Sequence, residues 1–444
     1  MKTNGKKKVL FIGIGLSHYN NQILNKLNLE NDIEIFNLVD ADGRGAVGGA
    51  VFQTREGINF KVLSLIGKYH NKFSDYRYRQ FVGLGNLLKK IRPDIIVTLE
   101  QYLEDFLYDK ELTDTVKKMN IKLVRKDIPL QTDKYNNAKR KILSGESDET
   151  YTPVFVAFFI GACNRLKLNK LPDLCQKILH LIKLDKIYRK FIGRKVLLKR
   201  LEIRKQILNM VDAHVNYVDE AYDIFESYGV SRSKIFITRN SPDTDILFNI
   251  RKKIEQEPTI LPPSKHRLVH LSRLIPWKRV DMIIEALKNL KPEFPDAELL
   301  VIGSGPSEGP LKNLVKKLNL ENSVKFLGGV YNQEILGKYL LSSNIYVLAG
   351  MGGLSINDAM TFGLPVICSV CDGTEKKLVR DGYNGLYFKE GDLLDLTEKI
   401  RYLFRNPNLL EKMGQNSVNI IKNEVNIYTV INEYKKAFDY VVGK

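Results

Sequence analysis

The sequence predicts an α/β protein with two domains, each built on a doubly wound parallel sheet. Short apolar runs of strand type alternate with amphipathic helices, as parallel strands with helical crossovers require. This alternation stops in a polar segment, residues 249–265, which ends in Pro262-Pro263 and has the composition of a linker. It restarts at Leu268, and a length of 444 residues also favours more than one core.

In the first half, the predicted strands are short buried runs, and a helix over residues 20–28 follows the first of them. The strands are residues 9–14, 33–39, 59–65, 93–97, 122–124, 211–218 and 234–238. We predict an N-terminal domain over 1–248, a linker over 249–265, a C-terminal domain over 266–425 and a terminal helix over 426–444. A cleft between two such domains is a preferred place for a ligand.

The segment 268–305 predicts a phosphate site in the second domain. A strand over 268–271 leads into a turn with two cations, Arg273 and Lys278. An amphipathic helix and a second strand, 298–302, follow, and that strand ends in Gly303-Ser-Gly305. Ligands of such sheets lie beyond the carboxyl ends of the strands, so these cations and glycines indicate a bound diphosphate.

A second glycine cluster follows the predicted strand 345–348. Gly352 and Gly353 precede a predicted helix over 355–362, whose start offers unpaired N–H groups to a phosphate. Asp358 lies one turn into that helix, where it could accept hydrogen bonds from sugar hydroxyls.

Four strings of the second half, in order and at matching spacing, resemble the donor domain of a known enzyme family. They are SRLIPWKRVDMIIEAL, VIGSGP, GGLSINDAMTFGLPVI and DGTEKKLVRDGYNGLYF. The family is the family-4 retaining glycosyltransferases (glycosyl transferases group 1), of the bacterial polysaccharide and lipopolysaccharide type. The resemblance covers about residues 235–390 and implies the GT-B fold, in which two Rossmann-like domains face each other across a cleft.

The resemblance also implies roles for individual residues. Arg273 and Lys278 match the family's diphosphate-binding pair, and Lys278 would also neutralise the leaving group. Asp358 matches a glutamate that binds the ribose hydroxyls. The positions that match nucleotide-lining glycines and backbone donors at a helix start are Gly303, Gly305, Gly352, Gly353 and Leu354.

Two positions depart from the family pattern. A first glutamate, which helps to hold the donor sugar, is replaced by Gly350, and the second is shortened to Asp358. Glu375 could supply a replacement carboxylate on the donor side. These departures leave open a catalytically weakened, nucleotide-sugar-binding subunit as an alternative to an enzyme.

In the first domain, a glycine loop follows strand one, and we include Gly13 and Gly15 among the donor-binding candidates. His18 follows this loop and is a candidate catalytic residue, with a simple helix-start residue as the alternative. Glu100 ends the PDIIVTLE strand, where the family often places a group near the reacting sugar. Its alternative is a solvated acid at a strand end.

The charge of this chain is +18, with a pI near 9.4, which calls for an anionic partner. Residues 176–205 alone hold 11 Lys or Arg and 2 Asp or Glu, a net of +9, beside an apolar stripe. Such a segment either docks on an anionic membrane surface or packs on its own domain with a solvated basic face. The stripe is mainly aliphatic, which argues against nucleic acid. No run of residues is long and apolar enough to span a membrane.

Metal and redox motifs are weak. Cys368 and Cys371 have CxxC spacing but lack a second ligand pair, and a buried strand end explains them better. The triplets 40–42 and 243–245 imitate a metal-binding DxD without a suitable context. We therefore expect no cofactor and no metal, with the nucleotide sugar as donor substrate.

Taken with the resemblance, these features predict an enzyme that moves a sugar from a nucleotide diphosphate to a membrane-associated glycan or lipid-linked acceptor. We expect a cytoplasmic protein, peripheral on the inner face of the membrane. An epimerase or hydrolase acting on nucleotide sugars is the alternative within the same fold.

Overall fold

The computed structural model describes residues 5–41, 53–73, 76–126, 132–145, 194–370 and 373–443. The chain divides into two compact units. The first comprises Met1–Ile237 together with Glu433–Lys444, and the second comprises Thr238–Asn432.

The first unit is built on a seven-stranded parallel sheet with the strand order β3-β2-β1-β6-β7-β8-β9. Its strands are β1 (Lys7–Ile12), β2 (Ile33–Asp40), β3 (Lys61–Leu65), β6 (Ile95–Thr98), β7 (Lys122–Lys126), β8 (Ala213–Asn216) and β9 (Ile235–Ile237). A separate antiparallel hairpin joins β4 (Gly67–Phe73) and β5 (Tyr76–Phe81). The central strands are buried on both faces, which explains their unbroken apolar runs.

Helices cover this sheet and bury their apolar stripes against it. They are α1 (His18–Leu29), α2 (Leu84–Ile91), α3 (Glu100–Tyr108), α4 (Lys110–Lys118), α5 (Tyr135–Ser144), α6 (Arg194–Met210) and α7 (Glu220–Glu226). The only part of the basic segment 176–205 within the described residues is 194–205, at the start of α6. There Leu197, Leu201 and Ile203 are buried in the unit, so this part of the stripe packs on its own domain.

The second unit contains a six-stranded parallel sheet with the order β12-β11-β10-β13-β14-β15. Its strands are β10 (Arg267–Leu271), β11 (Glu298–Ile302), β12 (Val324–Gly328), β13 (Ile345–Leu348), β14 (Val366–Cys368) and β15 (Gly385–Tyr387). Its helices are α8 (Thr244–Ile254), α9 (Val280–Leu290), α10 (Glu308–Lys317), α11 (Gln333–Leu341), α12 (Ser355–Thr361), α13 (Leu393–Arg405) and α14 (Pro407–Asn423). The strand order reverses between β10 and β13, which makes their carboxyl ends the expected ligand position.

The boundary between the units differs from the predicted linker over 249–265. Residues 249–254 lie in α8, which begins at Thr244 because the Asp243 side chain caps it by accepting from the Asp245 N–H at 3.1 Å. Leu247 and Ile254 are buried in the second unit. The polar, lysine-rich exposed face of this helix caused its misassignment as linker.

The predicted terminal helix is α15 (Ile427–Val442). It does not form a separate structural unit. From Glu433 onward it belongs to the first unit. The Tyr434 ring packs edge-on against Phe11 at 6.1 Å, and Asp439 pairs with Lys7 at 2.6 Å. Strand β1 therefore depends on residues more than 400 positions away.

Candidate donor and acceptor sites

The turn that carries Lys278 is joined to the glycine loop after β13. Pro276–Lys278 form one turn of 3-10 helix, and the Lys278 Nζ donates to the carbonyl oxygens of Met351 at 2.6 Å and Gly352 at 2.7 Å. The Met351 N–H donates to the Trp277 carbonyl at 3.2 Å. The two predicted phosphate motifs therefore come together at the switch point.

Gly350 lies at the closest approach between these two loops. A Cβ atom there would be 2.1 Å from the Trp277 carbonyl oxygen and 2.9 Å from the Lys278 carbonyl carbon. Any side chain at this position would push the Lys278 turn away. The departure from the family glutamate is thus part of the packing that positions Lys278.

Arg273 lies on the same edge, with its side chain exposed. The turn around it is held against the loop after β11, because the Leu274 N–H donates to the Ser304 carbonyl at 2.9 Å. Gly303 has a φ of +134°, and a Cβ there would lie 1.8 Å from the Ser272 carbonyl oxygen. Gly305 makes a similar approach to the Leu274 carbonyl, at 2.4 Å. Only glycines allow these two strand ends to come this close.

Helix α12 places the next group of predicted residues. Leu354 precedes its first residue, and Gly353 makes only ordinary contact with Lys278, since a Cβ would lie 3.7 Å from Nζ. Asp358 is half-buried in the first turn, and burial raises the pKa of its carboxyl to about 7. A carboxyl with this pKa is partly protonated near neutral pH, and its ionised form, which is the stronger acceptor of hydrogen bonds from sugar hydroxyls, predominates towards alkaline pH.

Glu375 is buried after β14, at the same edge of the sheet. One of its oxygens accepts from the Gly373 N–H at 3.1 Å, which stabilises its own turn. The structure therefore brings a carboxylate to the candidate donor edge, and gives it a local backbone partner.

A hydrogen-bonded network that the sequence analysis missed lies under this edge. His270, on β10, is buried and contacts the Val347 carbonyl through Nδ1 at 2.9 Å and the Ser272 hydroxyl through Nε2 at 2.7 Å. Burial lowers the pKa of His270 to about 4, so the imidazole is neutral. The Tyr346 hydroxyl similarly contacts the Ser355 hydroxyl at 2.7 Å. In the sequence, the available sign of this network was one polar residue, His270, within the otherwise apolar run LVHL.

The glycine loop of the first unit lies after β1, beside β6 at the switch point of that sheet. Gly13 packs on the Tyr102 ring, and the Gly15 carbonyl accepts from the Asn37 side chain at 2.9 Å. His18 is the first residue of α1, and its exposed ring lies edge-on to Tyr19 at 5.5 Å. No contact in the described part of the chain singles out its imidazole for catalysis, and the helix-start alternative accounts for its position.

Glu100 begins α3, directly after β6, but it is not a solvated acid. Its carboxylate accepts from Arg125 at 2.6 Å and from Arg204 at 2.9 Å. Burial alone would raise the pKa of Glu100, but the two guanidinium groups hold it below its ordinary value. The side chain is therefore an ionised partner of two arginines that lie 25 and 104 residues along the chain.

Across the described ranges, no group of three or more His, Cys, Asp or Glu side chains is placed to hold a metal ion. Asp243 is used as the cap of α8, whereas Asp42 and Cys371 lie outside the described residues. Cys368 is a buried free thiol at the end of β14, and burial raises its pKa. Within the same ranges, no helix has the length and apolarity needed to cross a membrane.

Comparisons with known structures identify the fold. Anabaena HepE, solved in complex with UDP, matches with a TM-score of 0.63 at 14% identity, over 98% of this chain and 99% of that one. The same protein in complex with UDP-glucose matches with a TM-score of 0.59. The fold is GT-B, the two-domain α/β fold of many glycosyltransferases, and the predicted fold class is confirmed.

Sequence comparison gives a more specific similarity for the second unit than the fold comparison does. Residues 251–419 match the family model of glycosyl transferases group 1. A glycosyltransferase of Haemophilus influenzae is 29% identical over 186 residues, 40% of this chain and 52% of its own length. One from Methanocaldococcus jannaschii is 32% identical over 185 residues, 40% of this chain and 46% of its own. The chain thus spans about half the length of the curated relatives it matches.

Proposed function

We propose that this protein is a retaining glycosyltransferase that uses a nucleotide-diphosphate sugar as donor. The observation that carries the proposal is the junction of the Lys278 turn with the Gly352 loop at the switch point of the second sheet. The match of residues 251–419 to glycosyl transferases group 1 supports it, as do the UDP and UDP-glucose bound by HepE.

In this proposal, the protein stabilises the charge that develops on the leaving diphosphate. Lys278 exchanges its two carbonyl contacts for phosphate oxygens, and Arg273 approaches from the adjacent turn. Backbone N–H groups around Gly353 and Leu354 supply further donors. Donors held in place before the reaction stabilise a developing charge without reorganisation. Asp358 in its ionised form would accept bonds from the ribose.

The proposal further assigns the acceptor to the first unit, as a membrane-associated glycan or lipid-linked saccharide in surface polysaccharide synthesis. The concentrated charge of residues 176–205 supports an anionic surface as partner. We also propose that the protein works in the cytoplasm, on the inner face of the membrane. No divalent ion is needed in this scheme, because Arg273 and Lys278 neutralise the diphosphate.

The test is a thermal-shift screen against nucleoside diphosphates and their sugars, followed by a turnover assay in excess chelator. A nucleotide that binds the folded protein should raise the melting temperature by mass action. Transfer that continues in chelator supports the metal-free scheme. Absence of stabilisation by every nucleotide would contradict the proposal.

A nucleotide-sugar-binding subunit without turnover is the second candidate, and Gly350 is the observation that favours it. The packing of Gly350 against Trp277 excludes a carboxylate from this position. Binding of a nucleotide sugar without transfer or hydrolysis would support the subunit, whereas hydrolysis in the absence of acceptor would support a hydrolase.

A further inference from the structure

Lys126 is a buried cation in the first unit with no counter-charge in the described part of the chain. It is the last residue of β7, and only 6% of its surface is exposed. Its Nζ donates to the Tyr217 hydroxyl at 2.5 Å and lies 5.0 Å from the centre of that ring. Over the described ranges it forms no ion pair with a carboxylate.

The neighbouring residue on the same strand makes the contrast clear. Arg125 is also buried, but two of its guanidinium nitrogens donate to the Glu100 carboxylate, which supplies the counter-charge that a buried cation needs. Successive side chains of a strand point to opposite faces, so the Glu100 carboxylate serves Arg125 and not Lys126. Burying a charge is costly unless it is paired and hydrogen-bonded, and Lys126 has only a neutral phenol.

The surroundings of Lys126 also include a buried hydroxyl without a hydrogen-bond partner among the described residues. Tyr434 is 1% exposed, and its hydroxyl has no hydrogen-bond partner within the described residues. It lies within electrostatic range of Lys126, as does Tyr19 at the start of α1. Burial raises the pKa of Tyr434, so it remains a protonated phenol that can donate. Within the described residues, the Lys126 ammonium therefore lacks a counter-charge and the Tyr434 hydroxyl lacks a hydrogen-bond partner.

Lys126 also lies at a position in the sheet where ligands usually bind. Lys126 ends β7, which lies beside β6, and the carboxyl ends of these parallel strands share the edge that carries the Gly13 loop and the start of α3. Ligands of open α/β sheets bind beyond this edge.

We propose that Lys126, Tyr217 and Tyr434 form an oxyanion site that binds a phosphate or carboxylate group of the acceptor. The inference rests on the proposed function in one respect, since it takes the first unit to be the acceptor-binding one. The ammonium pairs with the oxyanion, and the two phenols donate to its remaining oxygens, as charge-assisted hydrogen bonds do. The acceptor is thereby an acidic molecule.

Inorganic phosphate is the probe, because it needs no knowledge of the acceptor. The assay uses the Arg273→Ala, Lys278→Ala double variant, whose donor site lacks its cations. At a tenfold excess of phosphate over its Kd, the melting temperature should rise by about 2–4 °C. A parallel titration with acetate separates a phosphate site from a carboxylate site, and stabilisation by either anion supports the proposal.

Two substitutions locate the effect, and one serves as a control. Adding Lys126→Met should abolish the phosphate response, and Tyr434→Phe should weaken it about tenfold in Kd. The control is Tyr228→Phe, which removes a buried hydroxyl of the same unit that already has a partner, the Asp133 carbonyl at 3.1 Å. It should leave the response unchanged.

A purely structural Lys126 predicts the opposite pattern. Lys126→Met would then lower the melting temperature of the ligand-free protein and leave the phosphate response as it was. That result, or a response equally reduced by Tyr228→Phe, would overturn the proposal. Because the assay measures binding and not transfer, its outcome is independent of whether the protein proves to be a glycosyltransferase.

Discussion

At the scale of single residues, Lys278 has the position that the proposed chemistry needs. Lys278→Ala should leave the fold intact, since its ammonium lies in a surface turn and contacts the loop carbonyls of Met351 and Gly352. Loss of one charge-assisted contact should cost about 2–4 kcal/mol of transition-state stabilisation, which is a loss of roughly 30- to 1000-fold in kcat/KM.

The matched control is Lys288→Ala, an exposed lysine in the last turn of the helix that follows. Steady-state kinetics and circular dichroism of both variants provide the measurement. Near wild-type turnover in a folded Lys278→Ala protein would remove this residue from the mechanism.

Gly350 gives a second prediction at this scale. Gly350→Ala places a methyl group 2.1 Å from the Trp277 carbonyl, so the Lys278 turn must move. Overpacking of this kind costs about 1–3 kcal/mol, and we expect both a lower melting temperature and weaker donor binding. Gly309→Ala, where nothing lies within 4 Å, is the control. If both variants bind the donor alike, the two loops are not coupled in the way described.

The raised pKa of Asp358 predicts that an increase in pH lowers the stability of the protein and strengthens nucleotide binding. Its pKa is about 7 in the folded protein, against an ordinary 3.8, so the folded state holds the proton more tightly. Stability is therefore lost as pH rises from about 4 to about 7. Asp358→Asn should melt above wild type at pH 8 and equal it near pH 4, while binding the nucleotide more weakly.

Thermal unfolding across this pH range measures the difference, with Glu321→Gln on an exposed turn as the control. A constant difference between Asp358→Asn and wild type at all pH values would show that the carboxyl does not titrate in this window.

For single residues, the sequence was informative where cations and glycines follow the ends of predicted strands. The placement of Arg273, Lys278 and the glycines at one edge could be predicted, because parallel strands bring their carboxyl ends to the same edge. The partners of Glu100 could not, since Arg125 and Arg204 reach it through tertiary packing that leaves no local pattern. The glycine at position 350 was visible as a departure, but the carbonyl that excludes a side chain there was not.

At the scale of elements, His270 links β10 to β13 at the point where the strand order reverses. Its pKa is about 4 in the folded protein and 6.5 ordinarily. Between these two pH values, the unfolded chain therefore binds more protons than the folded protein does. Stability should fall as pH drops from about 6.5 to about 4. In His270→Gln, which cannot titrate, this part of the pH dependence should disappear.

The measurement is chemical denaturation of both proteins at several pH values. Gln at position 270 keeps a hydrogen-bonding group, so the variant should remain folded at pH 7. An equal fall of stability with pH in the two proteins would show that His270 is not its origin.

Element boundaries were harder to predict than element types. The segment 249–265 resembles a linker in composition, yet Asp243 caps a helix that continues through residue 254 and buries Leu247 and Ile254. The hairpin of β4 and β5 gave no comparable signal, because its residues are mixed polar and aromatic. For the helix over 244–254, tertiary burial and not local composition fixed the structure.

At the scale of the whole molecule, the concentration of positive charge predicts adsorption to an anionic bilayer. Replacing Arg189, Lys190, Arg194 and Lys195 by Gln should reduce binding to anionic vesicles. Each cation near such a surface contributes roughly 1 kcal/mol, and salt screens the attraction. Of these four, Arg189 and Lys190 lie outside the described residues.

Co-sedimentation with neutral and anionic vesicles is the assay. The control removes the same charge from the second unit, by Gln at four exposed lysines, which are Lys252, Lys265, Lys288 and Lys316. If the two quadruple variants lose binding equally, net charge and not residues 176–205 determines the effect.

The helix Ile427–Val442 has a consequence for biosynthesis. Residues from Glu433 onward complete the first unit, where Tyr434 and Phe438 are buried. During translation, β1 and its neighbours emerge early but lack these side chains until almost all of the described chain has been made. The second unit can fold first, reversing the usual N-terminal-first order of multidomain proteins. Until then, the nascent first unit exposes apolar surface that a chaperone could cover.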